Sequence, residues 1–315
     1  MNTKKIVRKI RDPFIYAFVR VFVFILQCLP LFLVRAIGSL TSFLHYHAPG
    51  QAKIAIANIK IAFPDWEEAQ VKSCCKASFT NFHLTFFEFF WYQKHKGQLK
   101  DLVHDMDEIE QHLGKKTGYD SAIMICPHLG NWELANLIIN YHGYKMSPVA
   151  RKLKNPYLET LVCAYRQSTG AGIIHEKGAA KNIVRVLRSN EVLGMLIDQN
   201  VKEREGGVFM NFFGLPVPTS RAPASLAMKI NSAVVFCYCI HDENGNRRLH
   251  FTALKKAISD YEDDLVLLQD ILDEVQRIVR QYPEQYLWLY ERYRYHDKNF
   301  ADLSKYPFYS FAHEG

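Results

Sequence analysis

In the segment Ala122-Ile-Met-Ile-Cys-Pro-His128-Leu-Gly-Asn-Trp-Glu133, residue types and spacing could do chemistry. An apolar run ends in Pro, a His follows, and after Gly-Asn a Glu opens a helical pattern. The layout is strand, tight loop, helix start. It sets an imidazole at a strand's C-terminal end and a carboxylate about one helical turn later, which suits a general base with an orienting acid. Gly130 and Asn131 let the backbone turn tightly. The amides of Gly130, Asn131 and Trp132 are expected to face developing negative charge at the helix start.

The bare spacing is weak. With 13 His and 32 acidic residues in 315 positions, about 1.3 such pairs arise by chance. His83 and Glu88 show the same spacing inside the aromatic stretch from Phe79 to Tyr92, which reads as buried helix. Positions five apart on a helix point roughly 140° away from each other. His83 is therefore expected to be a structural helix residue, whereas the loop at His128 removes that objection.

Further motifs follow in order: Arg151-Lys-Leu-Lys-Asn-Pro156, Arg166, Gly170-Ala-Gly-Ile-Ile, Met195-Leu-Ile-Asp-Gln199, Gly207-Val-Phe-Met-Asn-Phe-Phe-Gly214-Leu-Pro-Val-Pro-Thr219 and Trp288-Leu-Tyr-Glu-Arg292. His128 to Glu133 resembles the His-X4-acid motif of the glycerolipid acyltransferase superfamily. The whole series, over nearly the full chain, resembles the lipid A biosynthesis (lauroyl/myristoyl) acyltransferases of Gram-negative bacteria. The chain departs from that family at Glu291, where basic or aromatic residues are more usual after the late Trp. That departure bears on the acceptor more than on the chemistry.

Acyl transfer to a hydroxyl needs a base, a group to steady the tetrahedral oxyanion, and a tunnel for the acyl chain. His128 is the expected base, with Glu133 holding its tautomer. No Ser or Cys nucleophile elbow is evident, and Cys126 lies in the strand as core, so direct transfer is expected. The resemblance puts Arg166 near the thioester; without it, a surface helix Arg is the plainer reading. Asp198 ends the apolar run Val192–Ile197, where a carboxylate faces the crevice of an α/β sheet; it could orient the acceptor or Arg166, or cap a helix. Arg151, Lys152 and Lys154 could meet acceptor phosphates, or form a solvated basic loop. Gly207 to Gly214, with Phe209 and Phe213, could line the acyl tunnel, form a lid or simply pack. By the same motifs Asn155, Gln199 and Thr219 are placed beside substrate. Trp288 and Arg292 stand four apart on a helix or turn, as a cation–π pair or a functional one. No cofactor is expected beyond acyl-acyl carrier protein as donor, and no metal.

Composition limits the alternatives. A chain of 315 residues with 49% hydrophobic content can bury a large core. Much of the net charge of +7 is a basic collar, Lys4, Lys5, Arg8, Lys9 and Arg11 against Asp12. It is not a nucleic-acid stripe, and beside an apolar stretch it suits anionic lipid headgroups. The seven Cys show no zinc spacing or Cys-x-x-Cys pair, which fits a reducing compartment; Cys237 and Cys239 would share one strand face. Arg20, Gln27 and Pro30 interrupt the apolar residues 13–34, and the cleanest run, Val21 to Val34, is shorter than the roughly 20 residues a spanning helix needs. A membrane-embedded helix in the inner leaflet is expected. The catalytic domain would then lie on the cytoplasmic face of the bacterial inner membrane, with acyl carrier protein and a membrane lipid acceptor as partners.

From residue 120, strands (Ala122–Cys126, Met146–Ala150, Ile173–His175, Val192–Ile197, Ala233–His241) alternate with helices (Trp132–Tyr141, Pro156–Ser168, Ala179–Arg188, Ala222–Ile230). The expected fold is α/β, a mixed, mostly parallel sheet covered by helices on both faces. Asp242-Glu-Asn-Gly-Asn246 should turn Arg248–Leu254 back against the preceding strand, and Asp260 to Tyr282 reads as an amphipathic helix. Helices rich in Phe fill 50–97, and a polar connection spans Gln98 to Thr117. Residues 1–45 form the collar and anchoring helix, and 46–315 a single domain. Three rival functions remain: acylation of another lyso-lipid or glycolipid, lipid binding without catalysis, and a metal-dependent phosphohydrolase built on the dipeptides His104-Asp105, His241-Asp242 and His296-Asp297.

Overall fold

The computed structural model describes residues 3–103, 106–113, 119, 121–297 and 300–312. The side chains of Lys4, Lys5, Arg8 and Lys9, the dipeptide His104-Asp105 and residues 114–118 of the expected polar connection lie outside the described residues. Five helices come first: α1 (Thr3–Cys28), α2 (Leu31–His47), α3 (Gln51–Ala62), α4 (Glu68–Tyr92) and α5 (Met106–Leu113). The alternating part follows as β1 (Ala122–Ile125), α6 (Trp132–Tyr141), β2 (Met146–Ala150), α7 (Pro156–Arg166), β3 (Ile174–His175), α8 (Ala180–Arg188) and β4 (Val192–Met195). After a hairpin of β5 (Gly207–Phe212) and β6 (Leu215–Ser220) come α9 (Ala222–Ile230), β7 (Ala233–His241), β8 (Arg247–Ala253) and α10 (Asp264–Gln281). Two short strands, β9 (Tyr295–His296) and β10 (Phe311–Ala312), pair near the C-terminus.

The central sheet has the order β3-β2-β4-β1-β7-β8. Its strands are parallel except β8, which returns antiparallel to β7. The expected α/β class holds. Strand periodicity divides the core in two. Ile123, Ile125, Leu193, Val234 and Phe236 face α8, α9 and α10. Met124, Cys126, Val235, Cys237 and Cys239 face α6 and the C-terminal half of α4. Strands buried on both faces need apolar side chains at successive positions, and Ala122–Ile125 supplies them. Cys237 and Cys239 share a face, as expected.

The β5–β6 hairpin is the main element that the sequence reading lacked. Phe212 pairs with Leu215, leaving Phe213 and Gly214 as a two-residue turn with φ of 52° and 84°. Positive φ at both positions is the type I′ requirement. The glycine was visible; the Phe before it masked the turn.

The two N-terminal helices, parted at Pro30, each pack on α4. Val23 and Leu26 of α1 and Val34 of α2 are buried, and Gly38 lets α2 approach Leu84 of α4 closely. The outer face is apolar and open, with Phe14 at 73%, Phe18 at 73%, Phe24 at 65% and Phe43 at 59% exposure. Among the described residues no helix is long and apolar enough to cross a membrane.

One buried carboxylate joins these parts. Glu88 of α4, fully buried, accepts from Arg35 Nε of α2 at 2.8 Å, Arg247 Nε of β8 at 2.7 Å and Asn131 Nδ2 at 3.1 Å, with His241 Nε2 at 3.3 Å. Burial opposes ionisation, yet Arg247, His241 and Arg35 outweigh it and hold the carboxyl well below the usual range. His83, five positions earlier, bonds instead to Thr41 at 2.9 Å and His45 at 3.0 Å, a structural helix residue as expected.

Glu88→Gln keeps the shape but leaves the Arg247 charge without its counter-ion. Stability measured by urea unfolding should fall by about 3 kcal/mol; a loss under about 1 kcal/mol would refute this account. Because the folded-state pKa is depressed, the contribution is complete above the unfolded value of about 4.3 and drains away as pH falls below it. The gap between native and variant should therefore narrow in acid.

Candidate active site

Sheet register builds the site. Ile125 of β1 pairs with Met195 of β4 in parallel, and Cys126 N–H donates to Met195 O at 3.0 Å. Each strand then runs three positions further, to His128 and to Asp198. Two side chains 70 residues apart in sequence thus meet outside the carboxyl ends of adjacent strands, the usual position for a ligand crevice in such sheets.

His128 Nδ1 lies 2.7 Å from Asp198 Oδ1, and the His128 backbone N–H donates to Asp198 Oδ2 at 2.8 Å. The buried Tyr286 side chain lies close to the same carboxylate. Burial would raise the Asp198 carboxyl, but His128, through charge and both hydrogen bonds, and Arg292 keep it below its ordinary value. An ionised carboxylate only accepts, so Nδ1 carries the proton and Nε2 of the neutral ring is left as acceptor. The His128 side chain is 13% exposed, which leaves that nitrogen reachable.

The loop after His128 is tightly specified. Gly130 has φ +63°, and a Cβ there would sit 2.0 Å from Cys239 O, so only glycine fits. Its N–H donates to Gln285 O at 3.0 Å, and Asn131 N–H to Cys239 O at 2.6 Å. Two of the three amides expected to face an oxyanion are therefore already committed to carbonyls. Asn131 is also withdrawn from substrate. Its Oδ1 caps α6 by accepting Leu134 N–H at 3.0 Å, and its Nδ2 bonds Thr85 O and Glu88.

Glu133 does not hold the His128 tautomer as the sequence reading expected. It lies in the first turn of α6 and forms a bidentate pair with Arg166 at the end of α7, at 2.9 Å from Nε and 2.6 Å from Nη2. Asn136 Nδ2 fixes that helix end by donating to Arg166 O at 3.1 Å. The physical reason is direction: α6 turns the Glu133 side chain toward α7, while the β4 extension reaches Nδ1 first. The Arg166 fork faces Glu133, so its charge reaches the crevice already balanced.

His128, Glu133 and Arg166 share the wall of a cavity of about 660 Å³, within the 300–1,000 Å³ range of small-molecule sites. Trp132, Pro148, Met195 and Ile183 give it apolar surface; Gln199, Asn200, Arg151 and Glu176 give it polar surface. Gln199 Nε2 stands 3.3 Å from His128 Nε2, at the point where a substrate hydroxyl would donate. Arg151 lies on the exposed rim, bonded to Glu176 Oε1 at 3.1 Å.

The remaining expected residues have structural work. Asn155 caps α7 through Tyr157 and Leu158 N–H and donates to Asp12 O of α1 at 3.2 Å. Thr219 is fully buried, and its hydroxyl accepts from Arg292 Nη2. Phe213 packs in the core against Trp288, with Arg280 4.8 Å over its ring; Phe209 pairs with Pro218 in the hairpin. The cavity wall includes none of these four. Cys126 is buried, and burial pushes its thiol well up, reinforced by Asp198 and Glu133. Trp288 and Arg292 lie in an irregular segment. Arg292 donates to Asn200 Oδ1 and Pro218 O at 3.0 and 3.1 Å, and faces the Phe212 ring rather than Trp288. Tyr286 and Asn200 were missed; only three-dimensional proximity to Asp198 and Arg292 marks them.

Comparison with known proteins gives this constellation a context. The sequence profile described as bacterial lipid A biosynthesis acyltransferase matches residues 2–295. The chain is 27% identical to a phosphatidylinositol mannoside acyltransferase of Mycobacterium tuberculosis (strain CDC 1551 / Oshkosh) over 159 residues, 49% of this chain and 48% of that protein. A Mycolicibacterium smegmatis protein of the same description is 26% identical over 47% of this chain and 48% of its own length. The match thus spans about half the length of these mycobacterial relatives. A lipid A biosynthesis acyltransferase of Haemophilus influenzae is 24% identical over 262 residues, 82% of this chain and 80% of that protein. A profile match running the length of the fold, on a chain whose His128 opens onto the cavity between β1, β4 and α7, places this protein in the bacterial lipid A biosynthesis acyltransferase family.

Proposed function

We propose that this protein is an O-acyltransferase that moves a fatty acyl chain from acyl carrier protein to a hydroxyl of a lipid A precursor, at the cytoplasmic face of the bacterial inner membrane. The observation that carries the reading is His128, at the cavity wall with Nδ1 held by Asp198 and Nε2 beside the Gln199 amide. The acceptor O–H donates to Nε2, and its oxygen attacks the thioester carbonyl. Asp198 stabilises the imidazolium as the proton moves. Gln199 supplies a side-chain N–H beside the reacting atoms. Collapse of the tetrahedral intermediate breaks the C–S bond, and the imidazolium returns the proton to the departing thiolate. The buried Cys126 thiol is a poor nucleophile, which favours direct transfer, and no cofactor is called on.

A second acceptor class deserves a test because of the mycobacterial relatives. Their description names a phosphatidylinositol mannoside, a glycolipid unlike lipid A. The exposed apolar face of α1 and α2 supports membrane attachment. Among the described residues no helix is long and apolar enough to cross a membrane, so on this reading α1 and α2 lie in the interface, their aromatic side chains among the acyl chains.

Deleting the protein from its bacterium and profiling cellular lipids by mass spectrometry should reveal a lipid A species short of one acyl chain, restored by the native protein but not by His128→Ala. Loss of an acyl group from a phospholipid or glycolipid instead would move the acceptor assignment. In vitro, His128→Ala should lower turnover about 10²–10⁴-fold.

The two acids should separate by kinetics. Asp198→Asn favours the wrong tautomer, so it should lower kcat about 10²–10⁴-fold. Glu133→Gln and Arg166→Gln should be coupled: the double variant should be no worse than the poorer single one. Additive losses for Glu133 and Arg166, with Asp198→Asn near native, would restore Glu133 as the orienting acid.

Phe14→Ser and Phe18→Ser should each weaken flotation with vesicles of anionic phospholipid roughly tenfold, leaving the circular dichroism spectrum unchanged. Undiminished flotation of the double variant would remove the helix pair from the membrane.

A further inference from the structure

Away from His128, α7 and the edge strand β3 bring three different donor atoms together. Glu159 and Cys163 are four apart on α7 and so share a face. β3, paired with β2, sets His175 against that face. Glu159 Oε2 accepts Leu153 N–H at 2.7 Å. Its other oxygen, Oε1, lies 3.2 Å from Cys163 Sγ and 3.6 Å from His175 Nδ1. The three donor atoms all lie within 4.8 Å of one another. Among the described residues this is the only such group of three.

Two of the three spacings are close to those around one ion. Zinc bonds of about 2.0 Å to oxygen, 2.0–2.1 Å to nitrogen and 2.3 Å to sulfur, at tetrahedral angles, imply donor–donor edges of roughly 3.3–3.5 Å. The two edges that meet at Oε1 differ from that by a few tenths of an ångström. The carboxylate is buried, the thiol half-buried and the imidazole exposed, which leaves an entry path and room for a fourth ligand from solvent. Burial and the Glu159 carboxylate push the Cys163 thiol up to about 11, with Arg166 and Lys152 offsetting this only in part, so an ion has to displace the thiol proton. None of the three residues lines the cavity, so the site is separate from the acyl-transfer chemistry.

We propose that Glu159, Cys163 and His175 form a binding site for a divalent transition-metal ion, zinc by its mixed sulfur, nitrogen and oxygen donors, with water as fourth ligand. Binding releases the thiol proton to solvent. The ion clips α7 to β3, and so braces the wall that carries Arg166 and Glu176. The sequence expectation of no metal rested on spacing along the chain, whereas these ligands meet only through the fold.

The test uses the full chain, stripped with a chelator and titrated with Co²⁺ at neutral pH. One equivalent should produce a near-ultraviolet thiolate-to-cobalt band, which Zn²⁺ should abolish by displacement. Cys163→Ser should lose the band. His175→Ala should weaken Zn²⁺ binding by more than the roughly 10–100-fold that loss of an outer-shell partner costs. In the native chain, Zn²⁺ should also protect Cys163 from alkylation, read by peptide mass spectrometry, so the proposal does not depend on either variant folding. Absence of saturable binding by the native chain would overturn it. So would a band that survives Cys163→Ser, affinity unchanged in His175→Ala, or alkylation of Cys163 indifferent to Zn²⁺.

Discussion

The Glu88 carboxylate is the constraint on which the arrangement rests. A buried carboxylate is tolerable only when cations and donors surround it, and its partners come from α2, β8, the end of β7 and the cap of α6. Satisfying one charge therefore fixes four elements relative to α4. Asn131 is the link to chemistry. The amide that bonds Glu88 belongs to the residue that caps α6, and its backbone N–H is tied to β7 through Cys239. With Gly130 pressed against the same carbonyl, the loop between His128 and Glu133 has little freedom. The loop whose spacing resembles a catalytic motif is held from behind by a charge network that never touches the cavity.

On the cavity side two acid–base pairs divide the work by direction. Asp198 reaches His128 because parallel register carries 128 and 198 equally far beyond paired strand residues. Glu133 reaches Arg166 because α6 and α7 pack side by side, with Asn136 bonded to the last turn of α7. The first pair fixes a tautomer, and the second holds a cation at the cavity wall without leaving it unpaired in a half-buried place. Exchanging the roles would require Glu133 to point back along β1, where the Leu129–Tyr286 bridge and Gly130 leave no slack.

Periodicity was the legible part of the sequence. Met146–Ala150, Ala233–His241, Trp132–Tyr141 and Ala222–Ile230 fall where alternation and helical spacing put them, because both faces of a covered sheet and one face of each helix must be apolar. Strand ends pointed to His128 and Asp198, and the family resemblance pointed to Arg151, Arg166 and Gln199; all but the buried Asp198 line the cavity. Partnership was not. Asn131, Asn155 and Thr219 are polar residues in the motifs that carry the family resemblance, but capping and buried hydrogen bonds use the same side chains that substrate binding would use. Sequence cannot tell a hydroxyl that meets Arg292 from one that meets a ligand. The His83–Glu88 spacing, set aside as chance, was half informative: His83 is structural, while Glu88 proved central for reasons that only β8 reveals.

The N-terminal helix pair shows how surface and interior can be one element. Its outer face presents Phe14, Phe18, Phe24 and Phe43 to the surroundings, an apolar patch of the kind that marks an interaction surface. Its inner face is bound into the fold by polar contacts as well as packing. Gln27 donates to Phe90 O at 3.0 Å, Trp91 Nε1 donates to Leu29 O at 2.8 Å, and Arg35 reaches both Glu88 and Gly245 O. Tyr16 packs on Tyr157 and Asp12 O accepts from Asn155, both at the start of α7. That helix ends in Arg166 at the cavity wall. A bilayer holding the outer face of α1 would therefore lie against elements only one packing layer from the chemistry. Under the proposed function, that closeness lets a lipid acceptor reach the cavity without leaving the bilayer surface.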